Sequence, residues 1–249
     1  MIDNLLFDRD DMKKYIDDFL SLYEKRPIKN NSGGMNSSHL FPFYYVLKKI
    51  NPEVIIESGI WKGLGTWFIE KICPNSKIIS IDPVLDNRQY VSNTAEYLTE
   101  DFLKINWSKY SSNNVLVFFD DHQDALPRLL HCKQYNLKKI IFEDNYPHNQ
   151  GDCYSIKKIL QQKKYVIDIN SKKTWFDYNK NDFILLNNII NIYEEAPPIF
   201  KSKFTRWGDL WEENYETLPE LLNEFEKEKY KIFYDECKSY TWLCYIELK

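Results

Sequence analysis

The chain predicts an α/β fold with a mostly parallel sheet covered by helices on both faces, a helical N-terminal cap and a closing antiparallel pair. Three observations predict it. Short apolar runs at 54–57, 77–82, 115–120 and 139–143 alternate with helical stretches at 66–72, 125–132 and 154–162. The runs lack the in–out alternation of a half-solvated strand, as expected where both faces of a sheet are covered. The length, 249 residues, suits one α/β domain with additions better than two domains.

Each element has its own signal. Leu5, Leu6, Met12, Tyr15, Ile16, Phe19, Leu20 and Tyr23 recur at helical spacing, so 1–27 reads as a helix. The run KNNSGGMNSSH that follows is small and polar, and reads as a mobile loop. A second helix over 40–50 ends at Asn51-Pro52. Gly59 turns the chain after the first strand, and Pro83 halts the second. Two late runs, 230–235 and 241–248, read as a terminal antiparallel hairpin. The stretch 165–228 is too long for a simple connection and reads as a largely helical insertion over the carboxyl edge of the sheet. The organisation expected is a single domain: cap or lid 1–50, core 51–165, insertion 166–228 and hairpin 229–249.

Composition narrows the function. The formal net charge is −4 and no block of like charge stands out, which argues against a nucleic-acid partner. No apolar run approaches the ~18 residues of a membrane span. The start, MIDNLLFDRDDMKKY, is broken by charges and unlike a signal peptide. Cys73, Cys132, Cys153, Cys237 and Cys244 are odd in number and lack CxxC spacing, which fits thiols in a reducing cytoplasm. Aromatic side chains gather late, at Trp207, Trp211, Tyr215, Tyr230, Phe233, Tyr234, Tyr240 and Trp242; a core or a homo-oligomer interface is the expected use, ahead of a pocket lining.

The segment Glu57-Ser58-Gly59-Ile-Trp-Lys-Gly63-Leu-Gly65-Thr66 lies between a strand and a helix, where open α/β sheets bind ligands. Its spacing is G-x-x-x-G-x-G and not the G-x-G-x-x-G of dinucleotide sites. The wider turn suits an amino-acid moiety better than a pyrophosphate. Asp82 ends the next strand, where a carboxylate can accept both hydroxyls of a ribose. An ordinary strand-to-helix turn and a cap before Pro83 are the plainer readings.

Two further strands end in acids, Asp120-Asp121-His122 and Glu143-Asp144-Asn145. Parallel neighbours would bring these carboxylates to one small site, where they repel unless protons or a cation neutralise them. Oxygen donors without cysteine favour magnesium over manganese or calcium. Such an ion can hold vicinal hydroxyls and acidify one of them. His122 beside the acids is placed to take that proton, or to stack on an adenine or orient a ligand. His148 is a reserve base, His131 is structural, and His39 reaches toward the substrate or belongs to a helix start. Asp121 as a helix cap is the competing reading for that residue.

On these motifs residues 50–165 resemble class I methyltransferases, which use S-adenosylmethionine on a Rossmann-like sheet. The likeness is greatest to bacterial O-methyltransferases of the cephalosporin hydroxylase-like, rhamnosyl and macrocin group, where E-T/S-G-x-x-x-G-x-x-T is typical. The resemblance implies that Glu57, Ser58, Gly59, Gly63 and Thr66 surround the methionine part of the cofactor, with Asp82 on its ribose. Matching that group, Asp120, Glu143 and Asp144 are the metal ligands; matching catechol-type enzymes, they are Asp121, Asp144 and Asn145. It further implies methyl transfer to a hydroxyl of a small, sugar-like acceptor, in surface-glycan or secondary-metabolite assembly. A metal-independent methyltransferase, with the acids on the substrate, and a non-catalytic nucleotide-binding module are the rivals.

Overall fold

In the computed structural model, residues 6–111, 114–205, 208–212, 215–237 and 239–249 are described. Leu5 and Trp207 lie outside them.

The five residues of β1, Val54–Ser58, are all buried, because neighbouring strands flank them on both sides. β1 runs parallel to β2 (Lys77–Ile81) and to β4 (Val115–Phe119), with Ile56 opposite Ile79 and Val117. The short β3 (Glu96–Leu98) extends the sheet beyond β2, and β5 (Lys139–Phe142) extends it beyond β4. The far edge is antiparallel: β9 (Cys244–Leu248) lies between β5 and β8 (Ile190–Glu195). The order is therefore β3-β2-β1-β4-β5-β9-β8, a Rossmann-like sheet with an antiparallel end. Strand order reverses between β1 and β4, which opens a crevice at their carboxyl ends.

Successive strand residues point to opposite faces, and each face has its own core. Ile55, Phe118 and Ile141 join Phe43 and Phe68 on one side. Ile56, Val117 and Ile140 join Leu129 and Ile156 on the other. The first face is covered by α3 (Ser37–Ile50) and α4 (Leu64–Ile72), the second by α5 (Ala125–Gln134), α6 (Ile156–Gln161) and α7 (Lys180–Ile189). This is the two-sided cover that the apolar strands predict.

The ends differ from expectation in detail. The N-terminal helix is two, α1 (Arg9–Lys14) and α2 (Ile16–Tyr23), interrupted at Tyr15. α3 begins at Ser37, before the expected 40, because Asn36 caps it and accepts from the Ser38 amide. The run at 230–235 is not a strand: Lys231–Glu236 forms a helix, α8, and Phe233 stacks on Phe19 at 5.4 Å. The antiparallel pair exists, but the partner of β9 is β8.

The insertion is less helical than expected. Tyr165–Ile169 (β6) and Lys172–Phe176 (β7) form a separate two-stranded sheet. Asn170 and Ser171 turn between them, both at positive φ (52° and 64°), which matches the twist of a tight hairpin. Among the described residues, no helix is long and apolar enough to cross a membrane.

Candidate functional site

The chain leaves β1 at Ser58 and turns at Gly59, whose φ is +98°. A Cβ there would stand 2.0 Å from the carbonyl oxygen of Asp120, so the turn after β1 and the loop after β4 meet backbone to backbone. Gly63, also at positive φ, precedes α4, and Gly65 leaves room for the Glu57 carboxyl. Asp82 holds this turn in shape: it accepts from the amides of Ile60 (2.9 Å), Trp61 (3.2 Å) and Val84 (2.9 Å).

A cavity of about 360 Å³ opens above the turn, bounded by Ser58, Gly59, Trp61, Asp82, Asp120 and His122. Gly33 and Gly34 of the N-terminal loop reach the same cavity, and Ser32 accepts from the Trp61 indole at 3.1 Å. Of the six residues expected around the cofactor, Ser58, Gly59 and Asp82 therefore face the cavity. Glu57, Gly63 and Thr66 do not line it. Glu57 is buried beneath the turn, where Thr66 Oγ1 and Ser80 Oγ donate to it at 2.6 and 2.7 Å. Burial pushes its carboxyl up to about 7, against the lowering effect of those two hydroxyls.

The carboxyl ends of β4 and β5 bring Asp120, His122 and Asp144 together, with one donor atom from each lying within 4.8 Å of the others. His122 adopts a left-handed backbone (φ +53°) and its amide donates to Asp144 Oδ2 at 3.1 Å. Its Nδ1 lies 3.4 Å from Asp144 Oδ1 and 3.1 Å from Asp152 Oδ1. Burial opposes charge on the ring, yet Asp144, Asp152 and Asp120 outweigh it and raise His122 to about 10. Those three carboxylates favour the imidazolium form of the ring. Tyr146 donates its hydroxyl to Asp144 Oδ1 at 2.9 Å and fixes that carboxylate from behind.

Other predicted ligands turn elsewhere. Asp121 accepts from Ser58 Oγ (2.7 Å) and Arg128 Nε (3.1 Å) and does not cap α5. Arg128 in turn holds Asp101 with both terminal nitrogens, at 2.8 and 2.7 Å. Glu143 Oε1 pairs with His39 Nε2 at 3.0 Å, a link from β5 to α3. The Asn145 side chain bonds Tyr193 and the Lys157 amide. His148 sits by Gln161 and Tyr215, where burial lowers its pKa, and His131 meets the Ile105 carbonyl at 3.1 Å. Sequence reasoning missed Asp152 and Arg128. Asp152 lies in an irregular loop, and Arg128 stands one turn inside a helix whose facing partner is distant in sequence.

No protein-family model matches the chain, and no curated protein matches it. Solved structures do. CmcI with Mg and SAM is similar at 15% identity and TM-score 0.39, over 48% of this chain and 58% of that one. An O-methyltransferase from Bacillus cereus in complex with SAH is similar at 9% identity and TM-score 0.44, over 95% and 91%. A putative O-methyltransferase from Klebsiella pneumoniae gives 9% and 0.43, over 94% and 89%. The chain spans 62%, 49% and 58% of the three CmcI chains it matches.

Proposed function

We propose that the chain is an S-adenosylmethionine-dependent O-methyltransferase, assisted by a divalent cation, that methylates a hydroxyl of a small, sugar-like acceptor. One observation carries the reading: Asp120, His122 and Asp144 converge beside the cavity that the Gly59 turn and Asp82 enclose. A nucleotide-binding module has no use for a carboxylate–imidazole cluster at the mouth of its ligand cavity.

The donor set fits a hard divalent ion, magnesium or manganese, with the two carboxylates in reach of a common point and the imidazole beside them. Asp120 and Asp144 would hold it, with His122 left free as the base, and Asp121 and Glu143 support the site through Arg128 and His39. When bound, the cation would acidify an acceptor hydroxyl, and S-adenosylmethionine would supply the methyl group. The protein's part is alignment. Ser58, Gly59 and Asp82 seat the cofactor on the floor of the cavity, and Trp61 walls one side. A cation on Asp120 and Asp144 would offset two of the charges that favour the imidazolium form of His122, and its Nε2 would be the nitrogen to take the acceptor proton. Asp152 orients the imidazole through Nδ1.

Calorimetry with S-adenosylhomocysteine tests the cofactor assignment, and methyl transfer from labelled S-adenosylmethionine to a panel of free and nucleotide-linked sugars tests the reaction. The expected result is one saturable cofactor site and transfer that stops in excess EDTA and returns with magnesium. Binding of NAD in place of S-adenosylhomocysteine overturns the cofactor reading. Full activity in EDTA overturns the metal and makes the acids hydrogen-bond acceptors for the substrate.

A further inference from the structure

A second cavity, of about 380 Å³, lies between β7 and the residues 209–212 and Tyr215, shaped by Gln150, Lys173, Trp175, Asp209, Glu212 and Tyr215. Two independent features mark it as built for a ligand. The first is Gln150, which is only 3% exposed. Its amide nitrogen donates to Asp209 Oδ2 and to Tyr215 Oη, both at 3.2 Å, but its carbonyl Oε1 has no hydrogen-bond partner among the described residues. Flipping the amide gives no relief, because the carbonyl oxygen would then face the Asp209 carboxylate. A buried acceptor left without a donor is costly; Oε1 is itself covered, and a ligand hydroxyl removes the cost once the amide turns toward the cavity. The second is Trp175, half exposed on a strand whose every residue is exposed.

The charges select the ligand. Asp209 and Glu212 repel a phosphate or carboxylate. A cationic ligand meets cations already in place: Lys173 lies 3.7 Å from Asp209, and Lys164 lies 6.0 Å from the Trp175 ring centre. A neutral polyol suits all of these groups at once. Its hydroxyls donate to Gln150 Oε1 and the carboxylates, and its C–H face packs on the indole.

We propose that this cavity is a carbohydrate-binding subsite, distinct from the acid cluster and linked to it by one loop. Gln150 belongs to the same irregular stretch as Asp144, Tyr146 and Asp152. Within it Tyr146 bonds Asp144 and packs in a buried aromatic cluster with Tyr215. A saccharide seated here would therefore hold the part of an acceptor remote from the reacting hydroxyl. That purpose rests on the sugar-acceptor reading above; the binding itself does not, and is measured without cofactor or methyl transfer.

The test titrates the full ¹⁵N-labelled chain with a neutral hexose, a 6-deoxyhexose and an N-acetylhexosamine, and with ethylammonium and inorganic phosphate as contrasts. The reporters are the Trp175 indole and Gln150 side-chain amide resonances. The expected result is saturable shifts with at least one saccharide. Trp175→Ala and Asp209→Asn should each weaken that binding about tenfold; both side chains are partly exposed, so the fold survives. No saturable shift with any saccharide overturns the proposal, as does a response confined to ethylammonium or phosphate, or equal affinity in both variants. Saccharide binding without any methyl transfer would leave the subsite standing and remove the proposed reaction. Methyl transfer without saccharide binding would do the reverse.

Discussion

Replacing Glu57 by glutamine should flatten a pH dependence of stability that this one carboxyl imposes on the native protein. The side chain is buried, and burial raises its pKa from 4.5 to about 7. A raised folded-state pKa means that the native state holds the proton more tightly than the unfolded chain. The stabilisation is therefore complete below the unfolded pKa and is lost as pH rises through about 7. At about 1.4 kcal/mol per pKa unit, charging Glu57 between pH 5 and 8 costs about 2–3 kcal/mol. Glutamine keeps the shape, and its carbonyl can still accept from Thr66 and Ser80, but it has no charge to gain. Urea denaturation of the ligand-free protein at several pH values measures this directly. The difference in unfolding free energy between variant and wild type should shift by about 2–3 kcal/mol in favour of Glu57→Gln from pH 5 to pH 8. Taking the difference cancels other groups that titrate in the window, such as His148 and Lys158. Parallel pH profiles for the two proteins would refute the reasoning, and Glu57 would then be an ionised carboxylate throughout.

Other consequences are equally direct. Gly59→Ala forces a Cβ to within 2.0 Å of the Asp120 carbonyl at φ +98°, and should cost about 2–4 kcal/mol of stability and abolish S-adenosylhomocysteine binding; wild-type denaturation and calorimetry would contradict this. Asp144→Asn removes one charge from the proposed ion site, so magnesium titration should show a loss of affinity of about tenfold or more while the melting temperature stays near wild type. His122→Ala should slow turnover by roughly 10²–10⁴-fold, with cofactor affinity kept within a few-fold of wild type; unchanged turnover would exclude it as the base. The loop around Ser32 to Gly34 should exchange its amides more slowly once cofactor and acceptor are bound, since it borders the cavity through Trp61. Equal protection in both states would show that it is no lid.

The central half of the fold was legible because its signals are local. Apolar runs ended by Gly59, Pro83, Asp120 and Glu143 mark strand ends within a residue or two, and α/β topology follows from their alternation. The closing strand was legible too, but not its partner. Residues 231–236 carry aromatic and β-branched side chains that suit a strand, and packing of Phe233 against Phe19 and Phe41 decides for a helix instead. The β6–β7 hairpin turns on Asn170-Ser171, a weaker signal than Asn-Gly. At the site, the acids could be found by position but not sorted. Whether Asp120 or Asp121 faces the cluster depends on Arg128, and Glu143 is claimed by His39, about a hundred residues away in the chain. A partnership of that range leaves no trace in periodicity or spacing.

The sheet's antiparallel end has a kinetic consequence. The pairings among β1 to β5 close shorter loops, the longest running from Ser58 to Val115, but β5 finds β9 only after roughly a hundred intervening residues, from Phe142 to Cys244. Closing a flexible loop of that length costs about 4 kcal/mol of chain entropy before any pairing returns it. The cofactor side of the sheet can thus consolidate early, while β8, β9 and the cluster around Trp242 wait on one long-range encounter. Refolding should be biphasic, with burial of Trp242 and Tyr240 in the slow phase. The two halves should also open separately in native-state hydrogen exchange, the β8–β9 edge first. Such a division leaves the 143–155 loop, which carries Asp144 and Asp152, at the seam between an early-forming floor and a late-forming wall.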